Sequence, residues 1–168
     1  MNTKKLVFVC GILLVLTVAA FMAAMPAAAQ GGGLASGKVR APAANLEVEI
    51  LESNSDFVNY IYLVSPGPEV FIGSDDATGT VVALPPVLPN EELIFEIRVF
   101  ESDGVTDTGM RWQSGPPARN ADLKQHVQLS APAADQIQVN FEDIHGDGWG
   151  VADEPNYVDA IFVVRPAP

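Results

Sequence analysis

The sequence predicts an all-β protein, a single antiparallel β-sandwich of jelly-roll type preceded by a signal peptide. Three observations predict it: several segments alternate apolar and polar residues, no window has a 3.6-residue period, and Pro- and Gly-rich turns recur between segments. Alternation places one face of a strand on a core and the other in water, as in antiparallel sheets. Many short strands at intervals of about 8–12 residues are typical of sandwiches and jelly rolls.

Residues 1–29 have the features of a secretory signal peptide. Lys4 and Lys5 give a positive start, residues 6–24 are uncharged, and residues 27–29 form a small-residue cleavage site. The uncharged run is longer than a usual signal core, so an uncleaved membrane anchor is the alternative. We expect cleavage, release to the extracellular space or the periplasm, and no membrane association afterwards.

Residues 30–44 predict a flexible linker, because a triple glycine is followed by a stretch rich in Ala and Pro. Residues 45–166 then form the predicted β-sandwich domain. Its strand candidates share either the alternation or an enrichment in β-branched and aromatic residues. They are, in chain order, residues 46–50, 57–64, 80–84, 93–100, 110–113, 126–129, 136–141 and 157–164. The segments 93–100 and 157–164 are apolar on both faces, which predicts central positions in their sheets.

The charge and cysteine content exclude several classes of function. The 168 residues include 9 Lys+Arg and 21 Asp+Glu, a formal net charge of −12. Such a chain lacks the basic face that a nucleic-acid partner requires. One cysteine cannot form an internal disulfide, and no Cys/His cluster of the zinc type is present.

The most acidic segment, residues 141–159, lies between the last two predicted strands. Gly146, Gly148 and Gly150 free its backbone to curl, so that oxygen atoms can converge. Close pairs of like charges cost on the order of 1 kcal/mol each even in water. Ca²⁺ accepts irregular shells of oxygen ligands, so the segment predicts a calcium site, the alternative being an acidic surface hairpin. Its carboxylates, with no Lys or Arg among them, are Glu142, Asp143, Asp147, Asp153, Glu154 and Asp159.

The spacing of this segment partly matches the calcium loop of an EF-hand. Asp143, Asp147, Gly148 and Glu154 fall at loop positions one, five, six and twelve, whereas His145 stands at position three. The flanking segments are predicted strands, and an EF-hand requires helices. The match therefore indicates only that the spacing permits calcium coordination.

A set of motifs resembles a secreted bacterial family. It comprises Gly-Pro-Pro-Ala-Arg-Asn-Ala-Asp at residues 115–122, His126, Phe-Glu-Asp at residues 141–143, and Tyr-Val-Asp-Ala-Ile-Phe at residues 157–162. The combination, over residues 93–164, resembles domain-of-unknown-function family 4114, whose members occur in large surface proteins. The resemblance implies a calcium-binding β-sandwich module. It also implies metal roles for Glu142, Asp143, Asp147 and Asp159.

Two departures from the family pattern concern the same loop. Asn156 and Val158 stand where the family prefers Asp and Asn, and the loop at residues 146–155 is longer. Asp153 or Glu154 from the longer loop could substitute for a missing ligand. The candidate metal ligands are Glu142, Asp143, Asp147, Asp153 and Asp159, with Ca²⁺ as the expected ion.

Catalytic signatures are weak in this chain. His126 and His145 are expected to be hydrogen-bonding partners, because no serine lies in a nucleophile-elbow context. The two catalytic carboxyl groups of a glycosidase face each other across a cleft and are about 5–10 Å apart. Glu142 and Asp143 are adjacent on a predicted strand and should point to opposite faces, which favours a ligand and its orienter. We therefore expect a protein that is not an enzyme.

The expected role is that of a structural or adhesive module at the cell surface or in the matrix, with a protein or glycan ligand. The alternative is a calcium-dependent polysaccharide hydrolase or a glycan-binding accessory domain. Trp112 is expected to pack at the edge of the core. For Trp149, which three glycines surround in the sequence, packing and stacking on a sugar are the two alternatives. We expect a structured turn at Arg119, Asn120 and Asp122, whose side chains tie the loop that contains them to a neighbouring strand. Asp122 is also a candidate to reach the ion.

Overall fold

The computed structural model describes residues 34–146 and 155–168. Within these ranges the chain forms ten strands and one short 3₁₀-helix, Pro117–Arg119. The strands are β1 Val39–Arg40, β2 Leu46–Ile50, β3 Val58–Ser65, β4 Val70–Ser74, β5 Val81–Ala83, β6 Glu92–Phe100, β7 Asp107–Gln113, β8 Val127–Ser130, β9 Ile137–Phe141 and β10 Ala160–Pro166.

The strands form two antiparallel five-stranded sheets. The first sheet has the order β1-β6-β3-β4, and β7 also pairs with β6. The second sheet has the order β5-β2-β10-β9-β8. The two sheets pack together, so the predicted all-β sandwich is confirmed.

The alternation of apolar and polar residues along the strands explains how the two sheets pack face to face. In β2, Leu46, Val48 and Ile50 are buried while the two glutamates between them stay half-exposed. Strands β6 and β9 have the same alternation. Rings from opposite sheets meet between these faces, with 4.9 Å between the centroids of Phe95 and Phe162. The inner faces thus share one apolar core.

Eight predicted strands correspond to β2, β3 and β5–β10, and both strands predicted to be central, β6 and β10, have neighbours on each side. Strand β6 nevertheless alternates, so it is not buried on both faces. The last strand begins at Ala160 and not at the predicted residue 157. Tyr157 has a φ of 56°, a left-handed backbone that cannot continue an extended strand.

Two strands were not predicted. Strand β4 contains Gly73 and follows a Ser-Pro-Gly-Pro turn, so its composition is that of a loop. Strand β1 lies inside the predicted linker, where Val39 and Ala41 are 0% and 3% exposed. The assignment of residues 30–44 to a flexible linker is therefore wrong for this part.

No helix in the described part of the chain is long and apolar enough to cross a bilayer. The predicted signal peptide, residues 1–29, and the first residues of the predicted linker lie outside the described residues. Cleavage and the alternative of a membrane anchor stay predictions.

Candidate metal centre

Three carboxylates meet at one end of the second sheet. Glu142 and Asp143 directly follow β9, and Asp159 directly precedes β10. Because β9 and β10 pair antiparallel with Phe141 opposite Ala160, the end of one strand and the start of the next are necessarily adjacent. One oxygen of each carboxylate lies within 4.8 Å of the others. These acidic residues, here called the acidic triad, are only 0%, 2% and 5% exposed.

The position of Glu142 corrects one prediction. Glu142 and Asp143 do not diverge to opposite faces, because β9 ends at Phe141 and the pleat ends with it. The Glu142 carboxylate accepts hydrogen bonds from backbone N–H groups on both sides of the loop, that of Ile144 to Oε1 at 3.2 Å and that of Asn156 to Oε2 at 2.9 Å. This side chain therefore joins the two ends of the loop.

Asp143 connects the triad to the first sheet. Its Oδ2 accepts hydrogen bonds from Ser55 Oγ at 2.5 Å and from Asn59 Nδ2 at 2.8 Å. Asn59 lies on β3, and Ser55 precedes that strand. Within the triad, the backbone N–H of Asp143 donates to Asp159 Oδ2 at 3.0 Å. The site thus lies where the two sheets meet.

The negatively charged carboxylates of the acidic triad repel one another. Burial, with repulsion from Asp143 and Glu142, raises the pKa of Asp159 from 3.8 to about 9. Burial also raises the pKa of Asp143, and repulsion from Glu142 adds to this shift. Without a cation, these buried carboxyl groups therefore favour holding a proton among them. A bound divalent cation would take the place of that proton.

Trp112 and His126 support the backbone of the site. The Trp112 indole, 2% exposed, donates from Nε1 to the carbonyl oxygen of Asp143 at 2.8 Å and stacks on the His126 ring at 3.8 Å between centroids. His126 Nδ1 lies 2.9 Å from the carbonyl oxygen of Glu142, and Nε2 lies 2.8 Å from Asp122 Oδ2. The predicted packing role of Trp112 and hydrogen-bonding role of His126 are both confirmed.

Asp122 fixes the start of the acidic loop and lies outside the triad. Its Oδ2 accepts hydrogen bonds from the Gly146 backbone N–H at 2.7 Å and from His126. Burial raises the pKa of this carboxyl, but hydrogen bonds from His126, Lys124 and Gly146 outweigh burial and hold the pKa below its ordinary value. Asp122 therefore positions the loop as an ionised acceptor.

The turn that follows β7 is fastened as predicted. Arg119 Nη1 donates to Glu92 Oε1 and to the Ser114 carbonyl oxygen, both at 2.9 Å. Asn120 Oδ1 accepts a hydrogen bond from the Gln113 backbone N–H at 2.8 Å. These contacts tie the turn to β6 and to the end of β7.

The acidic triad contains three of the five predicted metal ligands. Asp147 and Asp153 fall on residues 147–154, which lie outside the described residues, as do Glu154 and Trp149. Their predicted roles stay predictions.

Sequence reasoning missed the contribution of the first half of the domain. Ser55 and Asn59 lie in the first half of the predicted domain, where the sequence indicates strand candidates and no site residue. The only signal was the polar run Ser-Asn-Ser-Asp at residues 53–56, directly before a strand. A cavity of about 220 Å³ opens beside the acidic triad, next to residues 54–57. It is lined by Asn54, Asp56, Phe57, Asp143, Ile144, Asn156 and Asp159.

In comparisons with known proteins, no family model, no curated protein and no solved structure matches this chain. The resemblance to domain-of-unknown-function family 4114 stays a prediction.

Without divalent cations, the free energy of unfolding is expected to fall as pH rises from about 4 to about 9. Burial raises the pKa of Asp75 to about 6 and that of Asp159 to about 9, from an ordinary value of 3.8. Each folded-state pKa exceeds the unfolded value, so the stabilisation is complete below pH 3.8 and is lost as pH passes the folded-state pKa. Urea unfolding in a chelator across this range measures it, and a stability independent of pH would contradict the raised pKa values.

Replacing Trp112 with phenylalanine is expected to lower the free energy of unfolding by about 1–3 kcal/mol, because the buried Asp143 carbonyl oxygen loses its donor. Tyr60→Phe is a matched control, since it removes the hydroxyl that donates to the Gly104 carbonyl oxygen at a partly buried turn. Urea unfolding should show a smaller loss for this control. Equal losses would mean that burial of the Asp143 carbonyl is unimportant.

Proposed function

We propose that this protein is a secreted, non-catalytic β-sandwich module in which Ca²⁺ stabilises the acidic loop between β9 and β10. Its role would be structural or adhesive, at the cell surface or in the extracellular matrix. The observation that carries the proposal is the acidic triad, three carboxylates buried together with one oxygen of each within 4.8 Å of the others. Export rests on the predicted signal peptide.

The donor atoms favour a hard cation. The triad offers carboxylate oxygens only, and such ligands suit Ca²⁺ and Mg²⁺ better than the softer transition metals. The site is built at strand ends and an irregular loop, and Ca²⁺ tolerates irregular geometry whereas Mg²⁺ requires a near-ideal octahedron. Predicted ligands Asp147 and Asp153 would complete the shell from the same loop.

The ion would act on stability. A ligand that binds only the folded chain stabilises it by RT ln(1 + [L]/Kd), about 2.7 kcal/mol at a hundredfold excess over Kd. Extracellular calcium modules work with Kd values on the order of 10⁻⁴–10⁻³ M. The protein would then be less stable where calcium is scarce and more stable after export.

Calorimetric titration of the purified protein with Ca²⁺ tests this proposal. We expect saturable heat and a rise in the thermal midpoint that a chelator reverses, with Mg²⁺ much less effective. Glu142→Gln should weaken the binding, whereas Asp135→Asn, at an exposed position before β9, should leave it unchanged. Absence of heat together with an unchanged midpoint would rule the calcium module out.

A second candidate, glycan binding, is favoured by aromatic side chains on the outer face of the first sheet. Phe71 is 53% exposed, and its ring lies 5.2 Å from that of Tyr62 and 6.0 Å from that of Tyr60. The Arg98 guanidinium lies 3.9 Å over the Tyr62 ring. Exposed apolar patches with a polar rim mark binding surfaces, and aromatic rings can stack on sugars.

Binding to a glycan array separates the alternatives. Binding without turnover that Phe71→Ala abolishes would support the glycan-binding role. Polysaccharide degradation that Glu142→Gln abolishes, with the fold intact, would instead show a hydrolase. No binding to any glycan would leave the structural role alone.

A further inference from the structure

We propose that Asn59 supplies a ligand to this cation from the opposite sheet, so that the ion fastens the two sheets together. The inference rests on the proposed calcium site. Asn59 lies on β3 of the first sheet, and the acidic triad lies at the ends of β9 and β10 of the second. No sequence motif indicated this residue.

The side-chain amide of Asn59 is surrounded by oxygen atoms. Its Nδ2 lies 2.8 Å from Asp143 Oδ2, 3.1 Å from Asp75 Oδ2, 3.2 Å from Ser55 Oγ and 3.4 Å from the Asp159 carbonyl oxygen. An amide nitrogen has only two hydrogens to donate. The position thus gathers more oxygen acceptors than the amide can satisfy, and two of the four come from the acidic triad.

The other atom of this amide has the opposite problem. Asn59 is 0% exposed, and within residues 34–146 and 155–168 its Oδ1 is the one buried side-chain polar atom without a hydrogen-bond partner. Leaving a buried acceptor unpaired costs about 1–3 kcal/mol. Native proteins rarely keep such a group unless an ion or a water completes it. A cation beside the triad would give this oxygen its partner.

The distances allow Asn59 and Asp143 to share one ion. In the orientation described, Nδ2 and not Oδ1 faces Asp143, 2.8 Å from its Oδ2. Rotation of the amide by about 180° exchanges its oxygen and nitrogen, so that Oδ1 takes this position about 2.8 Å from Asp143 Oδ2. Ca²⁺ binds oxygens at about 2.3–2.6 Å, and two neighbouring oxygens of one shell can lie that far apart. Asparagine carbonyl oxygens are ordinary calcium ligands.

The arrangement gives the sheets two alternative links. Without the ion, the Asn59 amide donates to Asp143 and joins β3 to the end of β9 by a hydrogen bond. With the ion, the amide oxygen and the carboxylates bind the same cation from both sheets. The ion would then stabilise the packing of the whole sandwich as well as the loop.

Calcium titration of four forms of the protein tests the inference: wild type, Asn59→Ala, Asn59→Asp and Asn120→Ala. Asn120 is a matched control, 2% exposed but with its amide oxygen paired to the Gln113 backbone N–H. We expect Asn59→Ala to weaken Ca²⁺ binding about tenfold or more and Asn120→Ala to leave the Kd unchanged. Asn59→Asp should bind Ca²⁺ at least as tightly as wild type, because it keeps an oxygen ligand and adds a negative charge while losing the donor.

The outcomes separate the two proposals. If wild type binds Ca²⁺ and Asn59→Ala binds equally well, the ligand role of Asn59 is overturned and the calcium module stands. If Asn59→Asp loses as much affinity as Asn59→Ala, the donated hydrogen bonds matter and the oxygen does not, which also overturns it. If wild type does not bind Ca²⁺, both proposals fail.

A measurement on the wild-type protein guards against variants that do not fold. In NMR spectra recorded during a Ca²⁺ titration, the side-chain amide signals of Asn59 should shift with the same Kd as the calorimetric heat. Those of Asn120 should stay in place. Unshifted Asn59 signals at saturating Ca²⁺ would overturn the inference.

Discussion

Asp159→Asn is expected to raise the thermal midpoint in a chelator at pH 8 and to weaken Ca²⁺ binding about tenfold or more. The asparagine side chain reproduces the protonated form of Asp159: its oxygen can accept from the Asp143 backbone N–H, and its amide can donate to Glu142, as the protonated carboxyl does. Because the pKa of Asp159 is raised to about 9, keeping the native carboxyl protonated costs stability that asparagine avoids.

The same substitution removes one anionic ligand, and the number of charged ligands tunes calcium affinity. In the chelator we expect a rise on the order of 4 °C, which corresponds to roughly 1 kcal/mol for a domain of this size. Thermal unfolding with and without Ca²⁺ measures both effects, with Asp135→Asn as the control at an exposed carboxylate. Equal midpoint losses in both conditions would contradict the account, because Asp159 would then act only as a structural hydrogen-bonding group.

Phe162→Ala is expected to destabilise the protein by about 3–5 kcal/mol, the largest effect of any single change considered. Phe162 lies on β10 and is fully buried. Its ring lies 4.9 Å from that of Phe95 on the opposite sheet and 6.2 Å from that of Phe141 on the neighbouring strand. Removing it leaves a cavity in the middle of the sandwich that the flanking strands cannot close.

Phe71→Ala is the matched control, since Phe71 is 53% exposed and contacts other rings only on the outer face. We expect it to cost less than about 1 kcal/mol. Urea unfolding of both variants at the same pH gives the comparison. Losses of similar size would mean that the core does not lie between the two sheets as described.

The local pattern of the sequence predicted most of the strands because a half-buried antiparallel strand must alternate. Strand β2, with Leu46, Val48 and Ile50 inward, shows this directly. The pattern fails where a strand is short or contains residues typical of turns. Strand β1 has two residues, and β4 contains Gly73. Pairing with β6 and β3, which no local window contains, holds these two strands in place.

The site was predictable only on the side where its ligands are close in sequence. Glu142, Asp143 and Asp159 flank one loop, so their charge density was visible. Asn59 and Ser55 reach Asp143 across separations of 84 and 88 residues. Such contacts depend on how the sheets stack, and a single sequence contains no local record of that stacking. The expected divergence of Glu142 and Asp143 was wrong because it assumed that the strand continued past Phe141.

A crystal structure of the whole chain with Ca²⁺ bound, together with an anomalous difference map that locates the ion, tests the calcium site most directly. We predict a peak about 2.3–2.6 Å from oxygens of Glu142, Asp143 and Asp159. Carboxyl groups that stay hydrogen-bonded to one another at saturating Ca²⁺, with no peak between them, would contradict the account.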